Sequence, residues 1–151
     1  MIMAEATATQ LAQREDARAD LERRLSLAFE AAPVQDGFSH PAEAVLRDAF
    51  DRDPAAAARD VCAIVENPAN PARAADTLRC LGRVHSAGSP TWRAALIQDA
   101  LASTDLEVRD AAIAAVEVWE DARLLSGLRS HHEPVDWLRR YLDAVIRDLE
   151  S

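Results

Sequence analysis

The chain has 151 residues, 49% of them hydrophobic, and a formal net charge of −9. A domain of this size buries enough surface to fold without a disulfide or metal, and its acidic balance argues against a nucleic-acid partner, which calls for a basic face. All 17 basic residues are arginine, so the chemistry of a Schiff-base lysine or a phosphate-loop lysine is excluded.

The first residues, MIMAEATATQ, carry no basic region followed by an apolar core and do not read as a signal peptide. No apolar run approaches membrane-spanning length. A cytoplasmic protein is expected, and the arginine-only, alanine-rich usage suits GC-rich bacterial coding. Residues 8–31 form a charged helix with Leu21, Leu25 and Phe29 on one stripe. Its first half is polar and is expected to fray. The segment 1–31 reads as a capping helix over the end of a helical stack. The irregular connection 32–40, APVQDGFSH, follows.

Prolines then mark helix starts. Pro41, Pro54, Pro71, Pro90 and Pro134 follow His40, Asp53, Asn70, Ser89 and Glu133. Asp, Asn and Ser are strong N-caps, and proline suits the first turn because its missing N–H would be unpaired there. His40 and Glu133 are weaker caps. The helices read as 41–51, 54–66, 71–85, 90–102, 106–119, 121–130 and 134–149, and the short connections between them imply antiparallel neighbours. Cys62 and Cys80, 18 apart, read as two buried, reduced thiols. No segment alternates as a strand would. The whole chain, 1–151, is expected to be one all-α domain of about eight helices, with 41–151 as its repeating part.

Residues 103–119, STDLEVRDAAIAAVEVW, are the most telling. Asp105 can cap the helix and pair with Arg109. Val108, Ala112, Ala115 and Trp119 form one apolar stripe, flanked by Ala111, Val116 and Val118. The order D-x-x-V-R-x-x-A-x-x-A-V resembles the second helix of a HEAT repeat. That resemblance implies that the Asp and Arg bridge successive turns and that the Val and Ala positions pack between units. Two segments echo it. Residues 70–85 align Ala75, Leu78 and Leu81, with Asn70 and Arg73 in the polar positions. Residues 133–149 align Leu138, Leu142, Val145 and Leu149, with Asp136 in place of the arginine. Arg73 and Arg109 are 36 apart, close to the repeat length of paired helices. The resemblance covers 70–150 and implies a short HEAT-like α-solenoid of antiparallel helix pairs. A compact helical bundle is the competing architecture.

HEAT-like proteins commonly bind partners on the surface lined by the second helices. There, Asp110, Glu117 and Asp121, with Ala114 among them and Glu120 adjacent, make an acidic ridge. It suits a basic protein partner, or is an ordinary solvated face. Asp136 with Arg140, and Asp143 with Arg147, are expected to neutralise each other at i, i+4. Trp137 and Tyr141 form a neighbouring stripe of interface-prone residue types, or pack under 121–130. Trp92, with Leu96 and Ala100, reads as core. His131-His132-Glu133 reads as a loop with chance histidines, not a metal site, and no cofactor is implied. No serine stands in a nucleophile elbow, the four glycines form no phosphate loop, and Glu120-Asp121 reads as neighbouring acids on a helix surface, which make no catalytic pair without burial to shift a pKa. The leading expectation is a non-catalytic binding module or adaptor with an acidic, helix-lined surface. It engages another protein rather than nucleic acid or membrane, and a toxin-neutralising or immunity role fits. The alternative is a HEAT-like ligand-binding protein or lyase-like enzyme with a pocket near Trp137 and Tyr141.

Overall fold

Side-chain caps open several of the helices where the sequence places them. The computed structural model describes residues 2–35, 37–84 and 91–151. Among them are eight α-helices, one short 3-10 helix and no strand. Helix α1 spans Ile2–Ala31, α2 Pro41–Arg52, α3 Pro54–Glu66, α4 Pro71–Gly82, α5 Thr91–Leu101 and α6 Leu106–Trp119. After the 3-10 helix Ala122–Leu124 come α7, Leu125–Ser130, and α8, Asp136–Glu150. Asp53 caps α3 by accepting from the Ala56 N–H at 3.2 Å, Asn70 caps α4 from Arg73 at 3.0 Å, and Asp105 caps α6 from Val108 at 3.1 Å. Each such bond satisfies an otherwise unpaired first-turn donor and is worth about 1 kcal/mol.

His40 is a better cap than its residue type suggests. Its Nδ1 accepts from the Ala42 N–H at 3.0 Å while its own N–H donates to the Glu43 carboxylate at 2.7 Å, completing a capping box. Nε2 then donates to the Ala32 carbonyl at 2.8 Å, tying the end of α1 to the start of α2.

Four boundaries differ from expectation. Helix α1 runs unbroken from Ile2, although every residue from 7 to 19 is exposed and the buried contacts come from Leu21, Leu25 and Ala28. The segment 121–130 is split, because Asp121 caps a 3-10 turn before α7 begins. Helix α8 starts two residues past Pro134, since Glu133 turns its carboxylate onto the Val135 N–H at 3.0 Å. Helix α4 ends at Gly82, short of the expected 85, with Arg83 as its C-cap and Val84 outside the helix; position 85 and the expected start at Pro90 lie outside the described residues.

Two rows of contact run through the molecule. Helices α1, α3, α5 and α7 touch in that order, as do α2, α4, α6 and α8, with α1–α2, α2–α3, α3–α4, α5–α6 and α7–α8 contacts joining the rows. The tightest crossing is α4 on α6. A Cβ at Gly82 would lie 3.2 Å from the Ala115 Cα, so the missing side chain lets the backbones approach. The apolar stripe of α6 lies in the core: Val108, Ala112, Ala115 and Trp119 are all buried. So are Ala75, Leu78 and Leu81 of α4, and Leu138, Leu142 and Val145 of α8. Burying a leucine-sized side chain contributes about 2 kcal/mol, so these stripes bind the rows together. Trp92 packs against the core, its ring stacked on Phe50 at 5.2 Å and meeting Trp119 edge-on at 6.2 Å. Cys80 is buried and Cys62 half-buried, both as free thiols.

Candidate protein-binding surface

The face of α6 opposite its buried stripe carries Glu107, Asp110, Ala114 and Glu117 at i, i+3, i+7 and i+10. They line a concavity of about 680 Å³. Every helix of the even-numbered row contributes: Glu43 from α2, Arg79 and Cys80 from α4, the α6 residues, and Tyr141 from α8. Val34 and Phe38 of the 32–40 connection, with Arg83 just past α4, complete it.

Its electrostatics centre on Arg79. One guanidinium lies 2.8 Å from Glu107, 3.4 Å from Asp110 and 3.7 Å from Asp76. Burial alone would lower the Arg79 pKa, but the hydrogen bond to Glu107 and the nearby carboxylates outweigh it and raise the value. The Asp76 pKa is raised as well, but here burial is the cause and outweighs the pull of Arg79. Further along α6, the Tyr141 hydroxyl donates to Glu117 at 3.0 Å, joining α8 to the same surface. Large apolar side chains stand exposed among these charges. Phe38 is 67% and Val118 46% exposed at the concavity, and Trp137, one turn before Tyr141 on α8, is 47% exposed. Leu11 and Leu27 of α1 are exposed as well, and single exposed apolar side chains are ordinary; Phe38 and Val118 differ in lining one concavity.

Three of the ridge and aromatic residues singled out in the sequence, Asp110, Glu117 and Tyr141, are brought together here. Trp137 is exposed rather than packed under 121–130, and Tyr141, half-buried, bonds to α6. Glu120 stands apart, ending α6 in a left-handed conformation with φ 53°. Asp121 is no ridge residue. It is buried, accepting from the Arg123 N–H at 3.1 Å and guanidinium at 2.9 Å, and that pairing holds its carboxyl below the usual range. Sequence reasoning missed Arg79, Glu107 and Phe38. The first two are ordinary surface residues in the helical pattern, and Phe38 sits in a connection with no periodicity to mark its direction.

Arg109 departs most from expectation. It does not pair with Asp105. Its Nε and Nη2 donate to the two oxygens of Glu133 at 2.9 and 3.3 Å, and Nη1 donates to the Ser103 carbonyl at 3.0 Å. His131 Nε2 also meets Glu133 Oε1, at 3.1 Å, so this histidine is part of a buried network rather than a chance loop residue. Glu133 is 1% exposed. Burial would push its pKa up, but the bonds from Arg109, the Val135 N–H and His131 outweigh this and hold it at about 2. The Val135 N–H takes the remaining site on Oε2. With about four acceptor sites on an ionised carboxylate, Glu133 has no lone pair left for a substrate proton. The buried acid and histidine therefore act as a structural tie, and neither lines the concavity. Among the described residues no group of three or more His, Cys, Asp or Glu is placed to hold a metal ion, and no helix is long and apolar enough to cross a membrane. On α8, Asp136 pairs with Arg139 at 2.8 Å instead of Arg140. No protein-family model, curated protein or solved structure matches this chain.

Proposed function

We propose that this chain is a short HEAT-like α-solenoid that binds another protein, without catalysis, on the concave surface of α2, α4, α6 and α8. One observation carries the reading. Phe38 and Val118 are exposed in a lining in which carboxylates outnumber guanidinium groups. Apolar anchors within a charged rim are the make-up of protein-binding surfaces, and the acid excess selects a partner with a basic surface. The two-row contact order and the buried stripes of α4, α6 and α8 support the solenoid part. A toxin-neutralising or immunity-type protein would use such a surface, as would an adaptor.

The test places a photo-crosslinking residue at Phe38 or at Val118, with Arg59 on α3 as the control position, in an extract of the source cells. One dominant adduct is expected from positions 38 and 118 and none from 59. Equal adducts at all three positions, or none, would end the proposal.

A further inference from the structure

We infer that the outer face of α8 pairs with the same face of a second copy of this chain, the two helices running antiparallel about a two-fold axis. Helix α8 packs on α6 and α7, with Leu138, Leu142 and Val145 buried. Its opposite face carries Asp136, Arg140, Asp143 and Arg147, at i, i+4, i+7 and i+11, all four exposed. Their spacing predicts that they neutralise one another along the helix. In the fold they do not: Asp136 turns to Arg139, and Glu150 reaches Arg129 of α7. Among the described residues Arg140, Asp143 and Arg147 take part in no ion pair.

The order of signs along this stripe is its own complement. Read backwards, the steps are still 4, 3 and 4, and every acid stands where a base stood. An antiparallel second copy therefore sets Asp136 against Arg147 and Arg140 against Asp143, each twice, over about 16 Å of helix. A slip of one heptad either way keeps two of these four pairs, and a parallel copy in register sets like on like. The pair that Asp136 makes with Arg139 is exposed on both sides and worth little, and a carboxylate has acceptor sites for a second arginine. Trp137 supports the same register. It is 47% exposed at one edge of the stripe, and Ala144, seven residues on, lies half-buried at the same edge. A two-fold axis brings like edges together, so the indole of each copy covers Ala144 of the other, whose methyl group leaves it room. Arg140, Asp143, Ile146, Arg147 and Glu150 border an open trough of about 490 Å³, and in this register residues 136–140 of the second copy lie opposite it.

Sedimentation velocity at low salt, over a concentration series, should show a monomer–dimer equilibrium that weakens as salt screens the pairs. Arg140→Asp alone, or Asp143→Arg alone, turns two of the four pairs into like-charge contacts and should weaken the dimer by more than about tenfold. Mixing the two single variants restores opposite charges at all four positions, and so does the double variant, Arg140→Asp with Asp143→Arg. Both should recover dimerisation to near the wild-type level, an outcome that a merely solvated face does not produce. Unchanged helical circular dichroism identifies folded variants, and all the substituted side chains are exposed. The inference is overturned if the wild-type chain stays monomeric at low salt, or if its dimer is indifferent to the single reversals. Failure of the mixed single variants to associate more tightly than either alone would overturn it as well.

Discussion

Replacing Glu133 by Gln keeps its shape and removes its charge, leaving the buried Arg109 with one neutral acceptor at 133 beside the Ser103 carbonyl instead of an ionised pair. The cost follows from the structure in two ways. The carboxyl falls from its ordinary 4.5 to about 2 in the folded protein, which corresponds to about 3 kcal/mol at neutral pH. Removing one partner of a buried ion pair costs about 3–5 kcal/mol in general. For a chain of this length that lowers the Tm by about 6–20 °C. The sign with pH is set by the direction of the shift. A folded pKa below the unfolded one gives stability that is full above the unfolded value, and it is lost as pH falls from there toward 2. Urea unfolding followed at 222 nm, at pH 7 and stepwise down to pH 2.5, measures both. The wild-type protein should lose its advantage over Glu133→Gln across that range. Arg109→Met combined with Glu133→Leu should recover most of the loss at pH 7, because apolar isosteres remove both charges at once. A Glu133→Gln variant as stable as wild type at pH 7, or a gap between the two that does not change with pH, would refute the reasoning.

Two further outcomes test the packing. Gly82→Val drives a Cβ to within 3.2 Å of the Ala115 backbone and should destabilise the protein by about 1–3 kcal/mol. Gly127→Ala, whose Cβ would meet only the flexible Gln98 side chain at 3.6 Å, should be neutral or slightly stabilising, and chemical denaturation separates the two. Burial pushes the Cys62 thiol up to about 11 and Cys80 to about 12, so neither is appreciably ionised at pH 8. A disulfide reagent at that pH should label the native protein far more slowly than the urea-unfolded chain, Cys62 ahead of Cys80; rapid native labelling of Cys80 would contradict its placement.

Where a structural feature depends on neighbours in sequence, it could be read in advance. Asp53, Asn70 and Asp105 cap as their residue types predict, since the donor each satisfies lies three residues on. The stripe Val108, Ala112, Ala115, Trp119 is buried because the 3.6-residue period forces those positions to one side of the helix. The surface was legible only in part. Asp110, Glu117 and Tyr141 lie on it, but Asp121 was misassigned, because helical periodicity carries it onto the ridge only if α6 continues past Glu120. The left-handed cap at Glu120 breaks that phase and turns Asp121 inward.

The apolar periodicity and caps of the chain determine its helices, most of their boundaries and which face of each is buried, because those depend on contacts within about one helical turn. The partners of its charges were decided by the tertiary structure alone. Arg109 reaches past Asp105 to Glu133, 24 residues away, and Arg79 gathers Glu107 and Asp110 from another helix. An arginine side chain is long enough to choose among many carboxylates, and its choice is set by which helices pack together and how much water they exclude.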